Sequence, residues 1–101
     1  MSRLTSLKLV HPGEVLKEDF MQPLGLSSNS LARAIGVTPA RVNEIVRGRR
    51  GITAETALRL AKYFATDAQS WMNLQDQYEL QIAERSIAKE LQLVKPCTAL
   101  G

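Results

Sequence analysis

The chain has 101 residues, 45% hydrophobic and 23% charged, which suits one small globular domain and excludes both a disordered chain and two independent cores. One cysteine, Cys97, allows no intramolecular disulfide, and with one histidine, His11, it nearly excludes a zinc site built on those ligands, so no metal is expected. Net charge is +3, but residues 1–50 hold eight Lys/Arg against four Asp/Glu while residues 51–101 hold five against six, so a polyanionic partner belongs to the N-terminal half.

The opening stretch, MSRLTSLKLVHPGE, has no long apolar segment and no small-residue cleavage site, so it reads neither as a signal peptide nor as an anchor. Nowhere do about eighteen apolar residues run together, so no membrane partner is expected and the chain reads as cytoplasmic. Pro12 suits a first helical turn, and Val15, Leu16, Phe20 and Met21 follow with partial helical spacing until QPLG stops the helix. Ser27 or Ser28 can cap the next helix, whose inward face is Leu31, Ala32 and Ile35, with Gly36 as the left-handed residue past its end.

Thr38-Pro39 is an N-cap followed by a first-turn proline, so a third helix begins after a short turn. Val42, Ile45 and Val46 give it an apolar stripe, and Gly48 ends it. Thr53 caps a fourth helix with Ala57, Leu60, Ala61 and Phe64 at helical spacing, although Thr56 departs from the glutamate of a capping box. Asp67 opens a fifth segment without Gly or Pro until Pro96. With connections this short, the expected fold is all-α: a compact five-helix bundle over residues 10–82, an N-terminal segment 1–9, and a C-terminal helical extension and frayed tail over 83–101.

A helix-turn-helix needs a small residue where its helices approach, a residue free to take positive φ in the turn, and apolar anchors beneath the second helix. Ala32, Gly36, Val42 and Ile45 meet those needs in register. The outward side of the third helix is then Thr38, Pro39, Ala40, Arg41, Asn43, Glu44 and Arg47. Arginine and asparagine pair bidentately with guanine and adenine edges, so these residues are the candidate base readers of a double-stranded DNA. Glu44 can accept from cytosine or hold Arg41 or Arg47 in place. Thr38 at the helix N-terminus, Ser28, and Arg49 and Arg50 past the helix end are the candidate phosphate contacts.

Each feature has a plainer reading. RGRR alone can be a solvated basic loop, and Arg41 with Glu44 an intrahelical ion pair. His11 reads as a capping or surface residue and Cys97 as an idle thiol; no catalytic constellation is present, so no enzyme and no cofactor are expected. Trp71, Leu74 and Tyr78 form a stripe that closes the core. Leu80, Ala83, Ile87 and Leu91 form a second, rotated stripe, which is either an interface to a second copy or another protein or, if the chain bends near Glu84, part of the same core.

The run SLARAIGVTPARVNEIVRGRRGITAETALRLAKYFATDAQSWMNLQDQYEL resembles XRE-type helix-turn-helix proteins of lambda-repressor-like fold. Together with HPGE at His11–Glu14, it is similar to the HigA (VapI-type) antitoxins of bacterial toxin–antitoxin modules, a likeness over roughly residues 10–82. The resemblance implies a five-helix DNA-binding domain that dimerises, represses its own operon and sequesters a small basic HigB/RelE-like ribonuclease toxin. It places the DNA-reading residues between Thr38 and Arg47. A homodimer would read a palindromic operator as two half-sites about one helical turn apart. The alternative is a stand-alone XRE-type repressor with no toxin partner.

Overall fold

The computed structural model describes residues 9–98, and every regular element among them is helical. The expected segment 1–9 and the tail therefore lie partly outside the described residues. Helix α1, Pro12–Val15, starts with His11 as N-cap: its imidazole accepts from the Gly13 amide at 2.9 Å, and Pro12 fills the first helical position. It continues as a π-helix over Leu16–Met21, marked by the Gln22 amide donating to the Lys17 carbonyl at 2.9 Å. That wider turn explains the imperfect spacing of the apolar residues. Val15 and Phe20, like Leu16 and Met21, are five apart, and the π turn brings both pairs toward one core.

Helix α2 is Ser28–Ile35, α3 is Pro39–Val46 and α4 is Ala54–Phe64. Ser27, not Ser28, caps α2, in a reciprocal capping box with Ser30. Thr38 caps α3, its hydroxyl accepting from the Arg41 amide at 3.1 Å, and Thr53 caps α4. The turn out of α4 uses Ala65 in the left-handed region, φ 54°, where a glycine would be expected.

Leu16, Leu31, Val42, Ile45 and Leu60 meet in one core, with Ala32 and Ala57 letting helices approach closely. At its edge the Phe20 ring lies between Phe64 and Trp71, at centroid distances of 4.9 and 5.1 Å, within the range of favourable aromatic pairs. The Trp71 indole donates to the Thr66 hydroxyl at 2.9 Å, so burying it leaves no orphan donor.

The fifth segment forms two helices. Helix α5, Ala68–Ser86, ends at Ile87 (φ −113°, ψ 23°), and a short α6, Ala88–Gln92, follows. The break lies three residues beyond Glu84, where a bend was one alternative, and it does not return the second stripe to the core. Leu80, Ile87 and Leu91 are 70, 43 and 45% exposed, and Ala83 is exposed as well. Within α5 the buried residues are Trp71 and Gln75, while Leu74 and Tyr78 are only half-buried. The chain thus leaves the bundle after Tyr78, whose ring still meets His11, as an arm. The Cα radius of gyration is 16.5 Å, above the roughly 13 Å of a compact chain of about 100 residues.

Candidate nucleic-acid interface

Helix α3 is seated from below. Val42 and Ile45 are each 1% exposed, Ala32 of α2 is equally buried, and α2 and α3 pack directly on each other. Between them Gly36 adopts φ 76°, and the Gly36 and Val37 amides both donate to the Ala32 carbonyl, at 2.9 and 3.0 Å. Only glycine enters that conformation without steric cost, and here a side chain would also meet Arg59: an added Cβ would lie 3.0 Å from its Nη1. The other end of α3 is held by α1. A Cβ on Gly13 would overlap the Ile45 carbonyl oxygen, so the HPGE glycine lets α1 pack against backbone.

Of the expected reading face, Thr38, Pro39, Ala40 and Arg47 are exposed, and Arg41, Asn43 and Glu44 are half-buried. Ser28, half-buried, is the first residue of α2, and Arg49 and Arg50 are exposed in the turn after α3. In that turn the Arg49 and Arg50 amides both donate to the Glu44 carbonyl, at 2.8 and 3.2 Å, which ties the basic turn back onto α3. Helix α3 thus has a free, capped N-terminus at one end and a cluster of cations at the other. Such an arrangement can straddle a phosphate backbone while the side chains between reach a groove.

The charged partners differ from those expected. Glu44 holds neither Arg41 nor Arg47; it pairs with Arg50, Nε to Oε1 at 3.0 Å, because the turn at Gly48 folds Arg50 back over the helix. Arg41 instead meets Glu55 of α4, Nη1 to Oε1 at 3.4 Å, and the other Glu55 oxygen lies 3.5 Å from Arg59 Nη2. Arg59 in turn donates through Nη1 to the Ile35 carbonyl at 2.8 Å. Exposed ion pairs of this kind are worth about 0.2–1 kcal/mol, so they matter more for orientation than for stability.

Glu55 and Arg59 were not among the residues singled out from the sequence. Their spacing of four on α4 was a visible signal, but the link to Arg41 crosses between helices. Gln75 was missed too. Buried on α5, it accepts from the Ile52 amide at 2.7 Å and so anchors the strand of chain that follows the basic turn. His11 sits behind the site: its ring meets Tyr78 edge-on at 4.7 Å, and burial lowers its pKa while the Glu14 carboxylate acts in the opposite sense. Cys97 is exposed and remote in sequence from these residues. Among the described residues no group of His, Cys, Asp and Glu could hold a metal, and no helix is long and apolar enough to cross a membrane.

Comparison with known proteins gives this geometry a family. The helix-turn-helix family model matches residues 18–71. Virulence-associated protein I of Dichelobacter nodosus is 58% identical over 76 residues, covering 75% of this chain and 70% of that protein. Antitoxin HigA-1 of Vibrio cholerae is 33% identical over 94 residues, covering 93% of this chain and 89% of that protein. Among solved structures, Pseudomonas aeruginosa antitoxin HigA with the higBA promoter matches with a TM-score of 0.86 at 43% identity, over 88% of this chain and 98% of that one. The family is one of helix-turn-helix DNA-binding antitoxins and regulators, not of enzymes. The chain belongs to the helix-turn-helix family, within its group of HigA-type antitoxins.

Proposed function

We propose that this chain is the antitoxin of a type II toxin–antitoxin module, acting in the bacterial cytoplasm, where it represses its own operon and neutralises a small basic HigB/RelE-like ribonuclease. The carrying observation is the build of α3, seated by Val42 and Ile45 and presenting Thr38 to Arg47 outward between a capped N-terminus and a basic turn. In this reading Arg41, Asn43, Glu44 and Arg47 reach base edges in the major groove, with Thr38, Pro39 and Ala40 at the leading end of the helix. Ser28, Thr38 and Arg49 contact phosphates, and Arg50, paired with Glu44 in the free protein, does so only where Glu44 releases it. The promoter-bound Pseudomonas aeruginosa relative supports an operator as the DNA partner.

One recognition helix is a small contact, so the active form is a homodimer on a palindrome. The exposed stripe of Leu80, Ala83, Ile87 and Leu91 lines a groove of about 650 Å³ with Asp76 and Glu84 on its rim. Exposed apolar stripes of this kind mark protein interfaces, here to the second subunit or to the toxin. A tagged pull-down from the native host tests the toxin, and a gel shift with DNA upstream of the chain's own gene tests the operator. The expected outcome is co-recovery of a small basic protein encoded next door, with a specific shift of the upstream duplex. Recovery of the chain alone under gentle salt, with the shift retained, would leave a stand-alone repressor. In the same assays Leu80→Asp with Ile87→Asp should abolish either dimerisation or toxin capture, and whichever is lost names the occupant of the stripe.

A further inference from the structure

We propose that Glu55, on α4 and outside the recognition helix, is a positioning residue that aims Arg41 at its base and so sets sequence specificity. The inference rests on the reading of Arg41 as a base contact.

Glu55 divides its carboxylate between two guanidinium groups: Oε1 faces Arg41 Nη1 at 3.4 Å, and Oε2 faces Arg59 Nη2 at 3.5 Å. Arg59 is itself fixed, donating to the last carbonyl of α2, that of Ile35, at 2.8 Å. Arg41 is thereby referenced through Glu55 and Arg59 to the helix that supports α3. Gly36 leaves room for this chain of contacts, since an added Cβ there would lie 3.0 Å from Arg59 Nη1. Only Nη1 of Arg41 is engaged, so Nε and Nη2 remain to approach a guanine edge as a fork.

The charge argues the same way. A carboxylate beside the reading face repels DNA phosphates and lowers affinity for every sequence alike. Its stability contribution as an exposed pair is small. What it supplies is direction: a long arginine side chain loses rotamer freedom when it reads a base, and a tether reduces that loss. Glu55 trades general affinity for discrimination.

The test starts by letting the wild-type protein select a duplex from a random library. Wild type, Glu55→Gln, Glu55→Asp, Arg41→Ala and the Arg41→Ala/Glu55→Gln double variant are then titrated against the selected and a scrambled duplex. Glu55 is exposed and Arg41 half-buried, and thermal unfolding checks that each variant folds. Glu55→Gln should bind the scrambled duplex more tightly, with a steeper salt dependence, while the selected-to-scrambled ratio falls about three- to tenfold. Glu55→Asp keeps the charge but withdraws the carboxylate, so it should lower the ratio without raising scrambled binding. The lost preference should fall on the base pair that Arg41→Ala relaxes, and Glu55→Gln should lower the ratio no further in the Arg41→Ala background.

Wild-type base preference in both Glu55 variants would overturn the proposal. So would an equal fall of the ratio with and without Arg41, which would show Glu55 acting through another residue. Unchanged base preference in Arg41→Ala would overturn the reading of Arg41 itself, and with it the proposal, in a variant where Glu55 is intact.

Discussion

His11 shows how much a single residue of the HPGE stretch carries. Its Nδ1 accepts the Gly13 amide to begin α1, its ring edges Tyr78 of α5, and it lies close to Gly48, the turn after α3. Accepting that amide requires an unprotonated Nδ1, and burial favours the same neutral form, pulling the pKa below its usual 6.5. The unfolded chain therefore takes up the proton first as pH falls. Stability from His11 is whole above the unfolded pKa and is lost as pH drops through 6.5 toward the lowered folded value. Thermal unfolding between pH 8 and pH 5 should show the wild type losing stability on acidification. His11→Asn, which keeps a capping acceptor but does not titrate, should lose markedly less. Equal pH slopes in the two proteins would remove His11 from this role. Asp67, held below the usual carboxylate value chiefly by the Ser70 hydroxyl, titrates in a lower window and does not confuse the comparison.

Among the elements, α4 carries an avoidable strain. Ala65 ends it at φ 54°, a conformation that costs a residue with a Cβ about 1–2 kcal/mol, against the roughly 0.4–1 kcal/mol of unfolded-state entropy that a glycine would add. Ala65→Gly should therefore raise stability by about 0.5–1 kcal/mol, read as a higher denaturant midpoint at constant slope; a lower midpoint would show that the left-handed turn carries no strain. The glycine usual at such an end was absent from the sequence, yet the end itself was legible, because the apolar spacing of Leu60, Ala61 and Phe64 stops there. Starts written in local chemistry were equally plain: Thr38 with Pro39, Thr53 and Asp67 all cap as their neighbours dictate. Harder to read were features set at a distance. The π turn of Leu16–Met21 satisfies a core that only the folded chain defines, and the break at Ile87 falls in a stretch with no Gly or Pro to announce it. In the site, Gly36, Val42 and Ile45 declared the motif through spacing, whereas the partners of Arg41 and Glu44 depended on how α4 and the basic turn pack against α3.

At the scale of the whole molecule, the excess of positive charge in residues 1–50 is concentrated around α3, and not all of it is available to DNA. Arg49 has no ion-pair partner among the described residues, while Arg50 is matched by Glu44 at 3.0 Å. Counter-ion release depends on the phosphates neutralised by net cationic groups, so the two arginines should differ although they are adjacent. Arg49→Ala should weaken binding to every duplex alike and flatten the slope of log affinity against log salt by about one. Removing the neutral pair together, as Glu44→Gln with Arg50→Gln, should leave that slope near its wild-type value. Any change in the paired variant should appear instead as altered base preference, through Glu44 on the reading face. A slope flattened as much by the double change as by Arg49→Ala would mean that Arg50 leaves Glu44 on binding and neutralises a phosphate of its own. The ion pair of the free protein would then be one that DNA breaks.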